Sequence, residues 1–446
     1  MKLWQQQPHL HPLVEQFTTG RDRELDLWLA PFDVLGSLAH VTMLGETGLL
    51  NPEETKQLKA ALREIYEQIE KGQFVIEEGV EDIHSQVELL LIRKLGDAGK
   101  KIHTGRSRND QVLTDIRLFV RKETEHLTGL VEQLFELLLT RAEKHKDTLL
   151  PGYTHSQPAM PSSFGLWFSA WAESLVDDLI MLEAAYRIIN KNPLGSAAGY
   201  GSPFPLNRRR TTELLGFNDL NYNVVYAQMG RGKTERIVAA AMAQLASTLS
   251  RLATDVILFV NPQFGFLRLP DELTTGSSIM PHKKNPDVFE LIRAWCNELQ
   301  ALPNTIAMIG INLMSGYHRD YQVLKELLFP SMHRLASCLD ITRLMLQHME
   351  VREDALTGHS LDELFSVEEV NRLVMQGVPF REAYLRVKQA IADGTFSPGR
   401  TVKHTHEGSS GNLCLPEIRR MKDEVMKHFR FEQAHEALGK LLNPDH

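Results

Sequence analysis

Apolar residues recur at helical spacing over several long stretches of the chain. Residues 112–138 place them at every third or fourth position, with Lys, Glu and Arg between them. Residues 237–260 repeat this pattern, a third stretch covers 164–189, and a fourth begins at Pro286. Such spacing predicts amphipathic helices. Because β-branched residues rarely alternate with polar ones, we expect any sheet to be small.

The length of these stretches bears on architecture. Helices of about 30 residues would be roughly 45 Å long, which is too long for one small globule. The segment VAAAM at 238–242 is apolar on more than one face, so it must be covered on most sides. The pattern therefore predicts a mainly α-helical fold around a long central bundle and favours a bundle shared between subunits. The alternative is a monomer with one deeply buried helix.

Three regions follow from the same patterns. We expect an N-terminal helical domain of shorter helices over residues 1–110. A central long-helix domain covers residues 111–350, and a more polar, Gly-containing C-terminal helical domain covers 351–446.

Composition restricts the class of protein. The 446 residues, 43% hydrophobic and 24% charged, suit a soluble globular protein of two or three domains. A net charge of -8 and a pI of about 6.2 argue against a basic face for nucleic acid or an anionic membrane.

The cysteines and the first residues of the chain predict the cellular compartment in which the protein resides. Three cysteines without a CxxC or Cys/His cluster argue against a disulfide framework and a structural zinc, and they favour a reducing cytoplasm. The start MKLWQQQPHLHP lacks the pattern of a secretory signal, and no apolar segment approaches the roughly 18 residues of a membrane span.

The most informative motif is TTGSSIMPHKKNPDVFELIR, residues 274–293. Its Gly, Ser and Thr residues predict a mobile loop hinged at Gly276. A helix should follow, with Asn285 as N-cap and Pro286 at the first helical position. Lys283 would then stand beside a positive helix N-terminus, a combination that attracts a carboxylate or phosphate. For an isolated GSS string, a Ser/Gly linker with solvated lysines would be the better interpretation.

A second motif is KKIHTGRSRNDQV, residues 100–112. It places a polar block, residues 106–110, just before a long helix that should begin near Gln111. The guanidinium of Arg108 offers a bidentate grip on a carboxylate, and Asn109 can donate beside it. A capped helix start with surface arginines is an equally good interpretation of this string alone.

A third motif is PGYTHSQPAMP, residues 151–161. It sets Thr154, His155 and Gln157 in a turn bounded by Pro and Gly. A lone histidine is more often a surface or satisfied core residue, but a rigid turn between long helices suits a positioned acid or base. The fourth motif, SGYHRDYQVLKE, has polar groups at a helix entrance that are unremarkable individually.

Together these four strings resemble the argininosuccinate lyase family of the fumarase/aspartase superfamily. Order and spacing match from about Asp82 to Glu326. GSSxMPxKxNP is the superfamily form of the loop, and GRSRNDQ and MPxKKNPD separate this family from its relatives. The resemblance implies a fumarase/aspartase-type fold and a homotetramer whose twenty-helix core takes five helices from each subunit. Active sites would be built from three subunits.

The resemblance also implies the reaction and the roles. The reaction is a reversible β-elimination of argininosuccinate to arginine and fumarate, a step of arginine biosynthesis, without cofactor or metal. Ser277 is the base on the catalytic loop, residues 274–286. Lys283 and Asn285 bind the succinyl carboxylate. Thr154 and His155 lie at the leaving-group and acid side, and Glu290 orients His155. The substrate-binding positions are Ser107, Arg108, Asn109, Gln157, Arg231, Tyr317, Gln322 and Lys325.

The sequence departs from the family pattern at the amino-acid end of the substrate. Arg231 lacks its usual acidic neighbours, and residues 321–324 lack the acids expected there. The stretch 17–26 is longer than usual and lacks an Asp-Ser pair, and His282 stands where many relatives have Gln.

The chemistry explains the residue types. Removing a proton α to a carboxylate creates a doubly charged species, so positive partners are needed where that charge develops. Serine is a poor base unless loop closure excludes water and backbone N–H groups or Lys283 lower its pKa.

Two rival functions remain. An adenylosuccinate lyase-like activity would need a phosphate site, for which no extra basic cluster is found. A non-enzymatic, crystallin-like structural protein would tolerate loss of Ser277 or His155, and both are present.

Overall fold

The computed structural model describes residues 11–353 and 361–443. The prediction of no secretory signal depends on the first residues of the chain, and residues 1–10 lie outside the described part. So do residues 354–360 and 444–446.

The described residues are mainly helical, as predicted. The α-helices are α1 Pro12–Thr19, α2 Asp22–Glu46, α3 Pro52–Glu70, α4 Ile83–Leu95, α5 Asp97–Lys100, α6 Arg108–Lys144, α7 Phe164–Ile189, α8 Arg208–Leu214, α9 Val224–Met229, α10 Lys233–Val260, α11 Asp287–Leu299, α12 Leu302–Gly310, α13 Val323–His348, α14 Ser366–Met375, α15 Phe380–Ala392, α16 Leu415–Met426 and α17 Phe431–Leu442.

The prediction of little sheet is confirmed for the described residues. Their strands are β1 Leu149–Thr154, β2 Gln157–Ser163, β3 Lys191–Asn192, β4 Asp219–Leu220, β5 Leu267–Arg268 and β6 Glu350–Val351. They form three two-stranded sheets: β1 with β2 and β5 with β6 are antiparallel, and β3 with β4 is parallel.

Four long helices form the centre of the molecule. Helix α6 has 37 residues, α7 26, α10 28 and α13 26. At 1.5 Å per residue, α6 is about 55 Å long. It packs against α7 and α13, and α10 packs against α7 and α11. Apolar side chains from all four are fully buried, which confirms the predicted long helical bundle, while its sharing between subunits remains a prediction.

The N-terminal region corrects one expectation. Helix α2 has 25 residues, so the prediction of only shorter helices before residue 110 is wrong. Leu35, Gly36, Ser37, Leu38 and Ala39 are all buried in succession. A helix covered on every side has no single apolar face, and its sequence therefore lacks the expected periodicity.

Within residues 11–353 and 361–443, two helices, α2 and α10, are long and apolar enough on mean hydropathy to cross a membrane. These two helices differ from the expectation that no apolar segment approaches the length of a membrane span. Inside the fold, 78% of the most apolar 18-residue segment of α2 and 61% of that of α10 are buried, as expected for core helices.

The helix starts at the two main motifs differ from prediction by one to three residues. Helix α6 begins at Arg108 rather than near Gln111, because Ser107 is its N-cap and forms a capping box with Asp110. Helix α11 begins at Asp287, and Pro286 takes the N-cap position.

Asn285 is therefore not the N-cap that the sequence predicted. Its backbone N–H donates to the Thr275 carbonyl at 2.9 Å, forming an isolated β-bridge. This bridge closes the base of the catalytic loop, which the local sequence does not reveal because the two residues are ten positions apart.

The C-terminal region contains two different parts. Helices α14 and α15 enclose a small separate core of Val370, Ala383 and Val387. Helices α16 and α17 pack instead on the main body, α16 against α7 and α17 against α2 and α8. The division of the chain at residues 110 and 350 remains a prediction.

Candidate active site

A cleft of about 310 Å³ lies at the N-terminal ends of α2, α6 and α13. Six of the eight predicted substrate-binding residues line it, although they come from distant parts of the sequence. These six are Arg108, Asn109, Arg231, Tyr317, Gln322 and Lys325.

Arg108 stands in the first turn of α6 and reaches across to the start of α4. Its Nη1 donates to Asp82 Oδ2 at 2.8 Å, and its Nη2 donates to Ser85 Oγ at 2.6 Å. Burial alone would raise the pKa of Asp82, but His84, Arg108 and hydrogen bonds from Ser85 outweigh it and lower that pKa. The guanidinium is thus fixed by an ionised partner that is itself the N-cap of α4.

At the other end of the cleft, Lys325 forms ion pairs with two aspartates. It is 5% exposed, and its Nζ lies 2.7 Å from Asp22 Oδ1 and 2.6 Å from Asp26 Oδ1. Burial would lower the pKa of Lys325, but the charges of Asp26 and Asp22 together raise it. Burial raises the pKa of Asp22 to about 6.

Sequence reasoning missed these two acids. It noted that residues 17–26 lacked an expected Asp-Ser pair, yet Asp22 and Asp26 lie one helical turn apart on α2 and both face Lys325. Their partner is about 300 positions away, so only the fold connects them.

Arg231 has an acidic partner after all. Its Nε lies 2.6 Å from Glu235 Oε1, one helical turn further along, and its Nη2 donates to the Tyr321 carbonyl at 2.8 Å. Both charged side chains are buried. Arg231 therefore braces the segment that carries Tyr317 and Gln322 as well as lining the cleft.

Gln322 and Arg319 tie the same segment to the N-terminal helices. Gln322 Nε2 donates to the Thr18 carbonyl at 3.0 Å, and Arg319 Nη2 donates to it at 2.8 Å. Arg319 also lies 3.2 Å from Glu81. These bonds hold the end of α1 against the segment that carries Arg319 and Gln322, beside the cleft.

A buried charged network that sequence reasoning missed lies beneath the cleft. His84 Nδ1 is 2.8 Å from Asp33 Oδ1 and 3.6 Å from Asp115 Oδ2. The pKa of Asp115 is raised well above its usual range by burial and then by Asp33, while that of His84 is raised because Asp33 outweighs burial. By spacing alone these three could hold a cation. The positive charge of Arg106 already faces both carboxylates.

The catalytic loop is open to solvent. Ser277 Oγ accepts hydrogen bonds from the backbone N–H groups of Met280 at 3.2 Å and Ile279 at 3.4 Å. Lys284 forms an ion pair with Asp271, whereas Lys283 is exposed. Backbone donors of the kind that would lower the pKa of a serine base are thus in place.

The hairpin between β1 and β2 carries the third motif. His155 and Ser156 form its two-residue turn, with φ of 53° and 59°. Thr154, His155 and Gln157 are exposed. Glu290, on α11, is exposed too, and within the described part of one chain no hydrogen bond or ion pair joins it to His155.

One chain therefore brings together only part of the predicted site. The predicted residues that do not line the cleft are Ser107, Thr154, His155, Gln157, Ser277, Lys283, Asn285 and Glu290. Ser107 is committed to capping α6, and its Oγ accepts from the Asn109 N–H at 3.2 Å.

Comparison with known proteins identifies lyases both by a family match and by full-length relatives. Residues 10–300 match the family described as Lyase. An argininosuccinate lyase of Parabacteroides distasonis is 58% identical over 442 residues, 99% of each chain. One of Bacteroides fragilis is 58% identical over 441 residues, again 99% of each.

A solved structure also shares the fold. The EDDS lyase in complex with formate superimposes with a TM-score of 0.75 at 23% identity, covering 98% of this chain and 95% of that one. At that identity the likeness concerns the fold alone.

Proposed function

We propose, from the premise that this chain belongs to the argininosuccinate lyase family, that the cleft binds both ends of argininosuccinate. The chain is a carbon–nitrogen lyase that cleaves argininosuccinate to arginine and fumarate. The observation that carries the binding proposal is the arrangement of Arg108 and Asn109 at one side of the cleft and Lys325 between two aspartates at the other.

The Lys325 side suits the amino-acid end of the substrate. An α-amino acid carries a carboxylate and an ammonium side by side. The Lys325 ammonium matches the first, and Asp22 and Asp26 match the second. Tyr317 and Gln322 line the same wall and offer further hydrogen-bonding groups.

The Arg108 side suits the succinate end. A planar guanidinium that is already oriented by Asp82 can bind a carboxylate in bidentate fashion. Asn109 lies beside it in the first turn of α6, where the helix dipole also favours an anion. Ser107, Gln157 and Arg231 remain predicted contributors at the edges of this arrangement.

In the proposed mechanism Ser277 removes the proton from the carbon α to the carboxylate. The electron pair left on that carbon forms the new double bond, the C–N bond breaks, and the guanidino nitrogen leaves with its electrons. Lys283 and Asn285 stabilise the charge that grows on the carboxylate. Thr154 and His155 lie at the leaving guanidino nitrogen, on the acid side of the reaction, and Glu290 orients His155.

We place the complete site between chains of a homotetramer. Exposed apolar side chains on α7, α10 and α11 support this proposal, because exposed apolar surface of this kind is often covered by a partner. They include Ile180 and Met181 on α7, Leu258 on α10, and Leu291 and Trp295 on α11. The alanine-rich segment of α10 gives less support than expected, since four of its five residues are buried within one chain.

The charge of the cleft argues against a nucleotide leaving group. Four carboxylates (Asp22, Asp26, Glu81 and Asp82) balance four cations (Arg108, Arg231, Arg319 and Lys325) among its lining residues. A phosphate bound in the cleft would lie near these carboxylates, and no cluster of cations without carboxylate partners is present among the lining residues to balance its charge. We therefore favour argininosuccinate over adenylosuccinate, and catalysis in the cytoplasm over a structural role.

The test is fumarate release measured with argininosuccinate and adenylosuccinate in parallel. Release from the first alone supports the proposal. Comparable release from adenylosuccinate contradicts the assignment of the cleft, and no release from either contradicts catalysis.

A further inference from the structure

The loop between β3 and α8 has a backbone shape that binds anions. We call residues 194–201, LGSAAGYG, the glycine loop. Four of its residues have positive φ: Gly195 at 80°, Ala197 at 52°, Gly199 at 101° and Gly201 at 85°. Left-handed residues alternating with ordinary ones turn successive N–H groups toward one side, which forms a concave nest for a negative charge. Ala197 adopts this shape without the freedom of glycine.

The anion in this nest is the carboxylate of Asp110. Asp110 Oδ2 accepts from the N–H groups of Gly195 at 3.0 Å and Ala197 at 2.8 Å. Its Oδ1 accepts from the Ser107 N–H at 2.9 Å. The side chain is fully buried, so no water competes for these bonds. One carboxylate thus joins the glycine loop to the start of α6.

The glycine loop is held from its other side by Gln228. Gln228 Nε2 donates to Ser196 Oγ at 2.9 Å and to the Ala197 carbonyl at 3.1 Å. Gln228 is itself buried and lies three residues before Arg231. A continuous set of hydrogen bonds therefore runs from α6 through Asp110 and the loop to α9.

We propose that Asp110 is a positioning residue for the elimination, acting through the glycine loop. By holding the loop and the first turn of α6 in one arrangement, it sets the orientation in which Arg108 and Asn109 meet the succinate carboxylate. This inference rests on the proposed function of the cleft.

The chemistry of the position requires a carboxylate. Three N–H donors point at its two oxygens, and an amide would turn its own NH₂ toward at least one of them. The charges that face it are Arg106 from the preceding loop and Arg208 from α8. Burial raises the pKa of Asp110 to about 6, which leaves it ionised at neutral pH.

The first test is Asp110→Asn, with inhibition by each product measured separately. Fumarate carries only the succinate end and arginine only the other end. We expect the inhibition constant for fumarate and the KM for argininosuccinate to rise about 10- to 100-fold, with a smaller change in kcat. Inhibition by arginine should be unchanged. A general loss of structure would weaken both products alike, and that result would overturn the inference.

The second readout is the loop itself. Hydrogen exchange of the Gly195 and Ala197 amides should accelerate in Asp110→Asn, as should chymotryptic cleavage after the exposed Tyr200. Unchanged exchange together with weakened fumarate binding would mean that Asp110 does not act through the loop. Faster exchange with unchanged fumarate binding would mean that the loop does not orient the cleft. Either result overturns the inference.

Two further variants complete the design. Glu54→Gln is the matched control, because Glu54 is the capping-box acid of α3 and lies outside the cleft; it should leave fumarate inhibition unchanged. Gln228→Leu loosens the loop without altering α6, and it keeps the inference testable if Asp110→Asn does not fold. The exchange rate of the loop amides and the inhibition constant for fumarate should rise together, and a rise in one alone counts against the inference.

The wild-type assay separates this inference from the proposed function. If wild type releases no fumarate from argininosuccinate, the proposed function fails. If wild type is active and Asp110→Asn binds fumarate equally well, only the role of Asp110 fails.

Discussion

The cleft and the catalytic loop differ in how their side chains are held. In the cleft, Lys325 and Arg108 are fixed by short contacts to acids on other helices, and Lys325 is almost fully buried. On the loop, Ser277 Oγ accepts hydrogen bonds from backbone N–H groups of the loop itself, and Lys283 is exposed. One chain thus holds the side chains of the proposed binding cleft in place, whereas the groups proposed for the chemistry are exposed and need closure of the loop or a second subunit to complete the site. The comparison suggests that binding and turnover can be separated by mutation.

The largest effect should come from Ser277→Ala. We expect kcat to fall about 100- to 10,000-fold, because the base acts only in the chemical step. Binding should survive, since Arg108 and Lys325 are untouched, and calorimetry with substrate measures it. Ser278→Ala is the matched control on the same loop. A fall in kcat of less than about 100-fold would remove Ser277 from the role of base.

Lys325→Met should damage the cleft side instead. It leaves Asp22 and Asp26 without their shared cation, and breaking a buried ion pair in this way costs about 3 to 5 kcal/mol. The free energy of unfolding should fall by that order and substrate binding should be lost.

Lys422→Met provides the control for this variant. Lys422 is as buried, but its partners Glu132 and Asp423 are partly exposed and can turn to water. We expect a cost of about 1 kcal/mol or less and normal binding. Equal losses in the two lysine variants would contradict the special role of the cleft pair.

Mixing variants tests whether the exposed groups meet between chains. His155→Ala and Ser277→Ala chains should each be inactive alone. After joint denaturation and refolding, about one quarter of sites should be intact if each residue comes from a different chain. Fumarate release measures the recovery, with each variant refolded alone as the control. Tetramers without recovered activity would place both residues in the same chain.

The smallest effect concerns pH and the cleft. Asp22 is ionised above its pKa of about 6 and protonated below it, so its proposed attraction for the substrate ammonium should be lost as the pH falls through 6. We expect the KM to rise roughly 3- to 10-fold between pH 7.5 and 5.5. Asp22→Asn should show a high KM at both pH values.

The control for the pH experiment is Asp97→Asn, which alters an exposed aspartate paired with Lys100. It should keep the wild-type profile. An unchanged rise of KM in Asp22→Asn would assign the titration to a different group.

The fold was largely predictable because it depends on local periodicity. Helix α7 was predicted with its observed limits, and α6 and α10 with errors of a few residues at their starts. Helix α2 was missed as a long helix because burial on every side removes the periodicity. Helix starts were less accurate, because the choice between Asn285 and Pro286 as N-cap depended on the bridge to Thr275.

The candidate site was predictable only where motifs carried it. Arg108, Tyr317 and Lys325 were predicted from the strings that contain them, and the cleft unites them. Asp22 and Asp26 could not be predicted, because an acid on a helix is ordinary until the fold sets a buried lysine against it. Proximity across about 300 residues is a property of packing, which no local pattern encodes.

The turn at His155 and Ser156 has a consequence for engineering. A two-residue hairpin turn with positive φ at both positions is best made from Asn-Gly, and His and Ser adopt that conformation at a cost in free energy. Selection for heat resistance alone would therefore tend to replace this pair, and the free energy of unfolding would rise as His155 was lost. With His155 in its proposed role, stability and activity compete at this turn, and a thermostable variant that keeps its activity must gain its stability elsewhere.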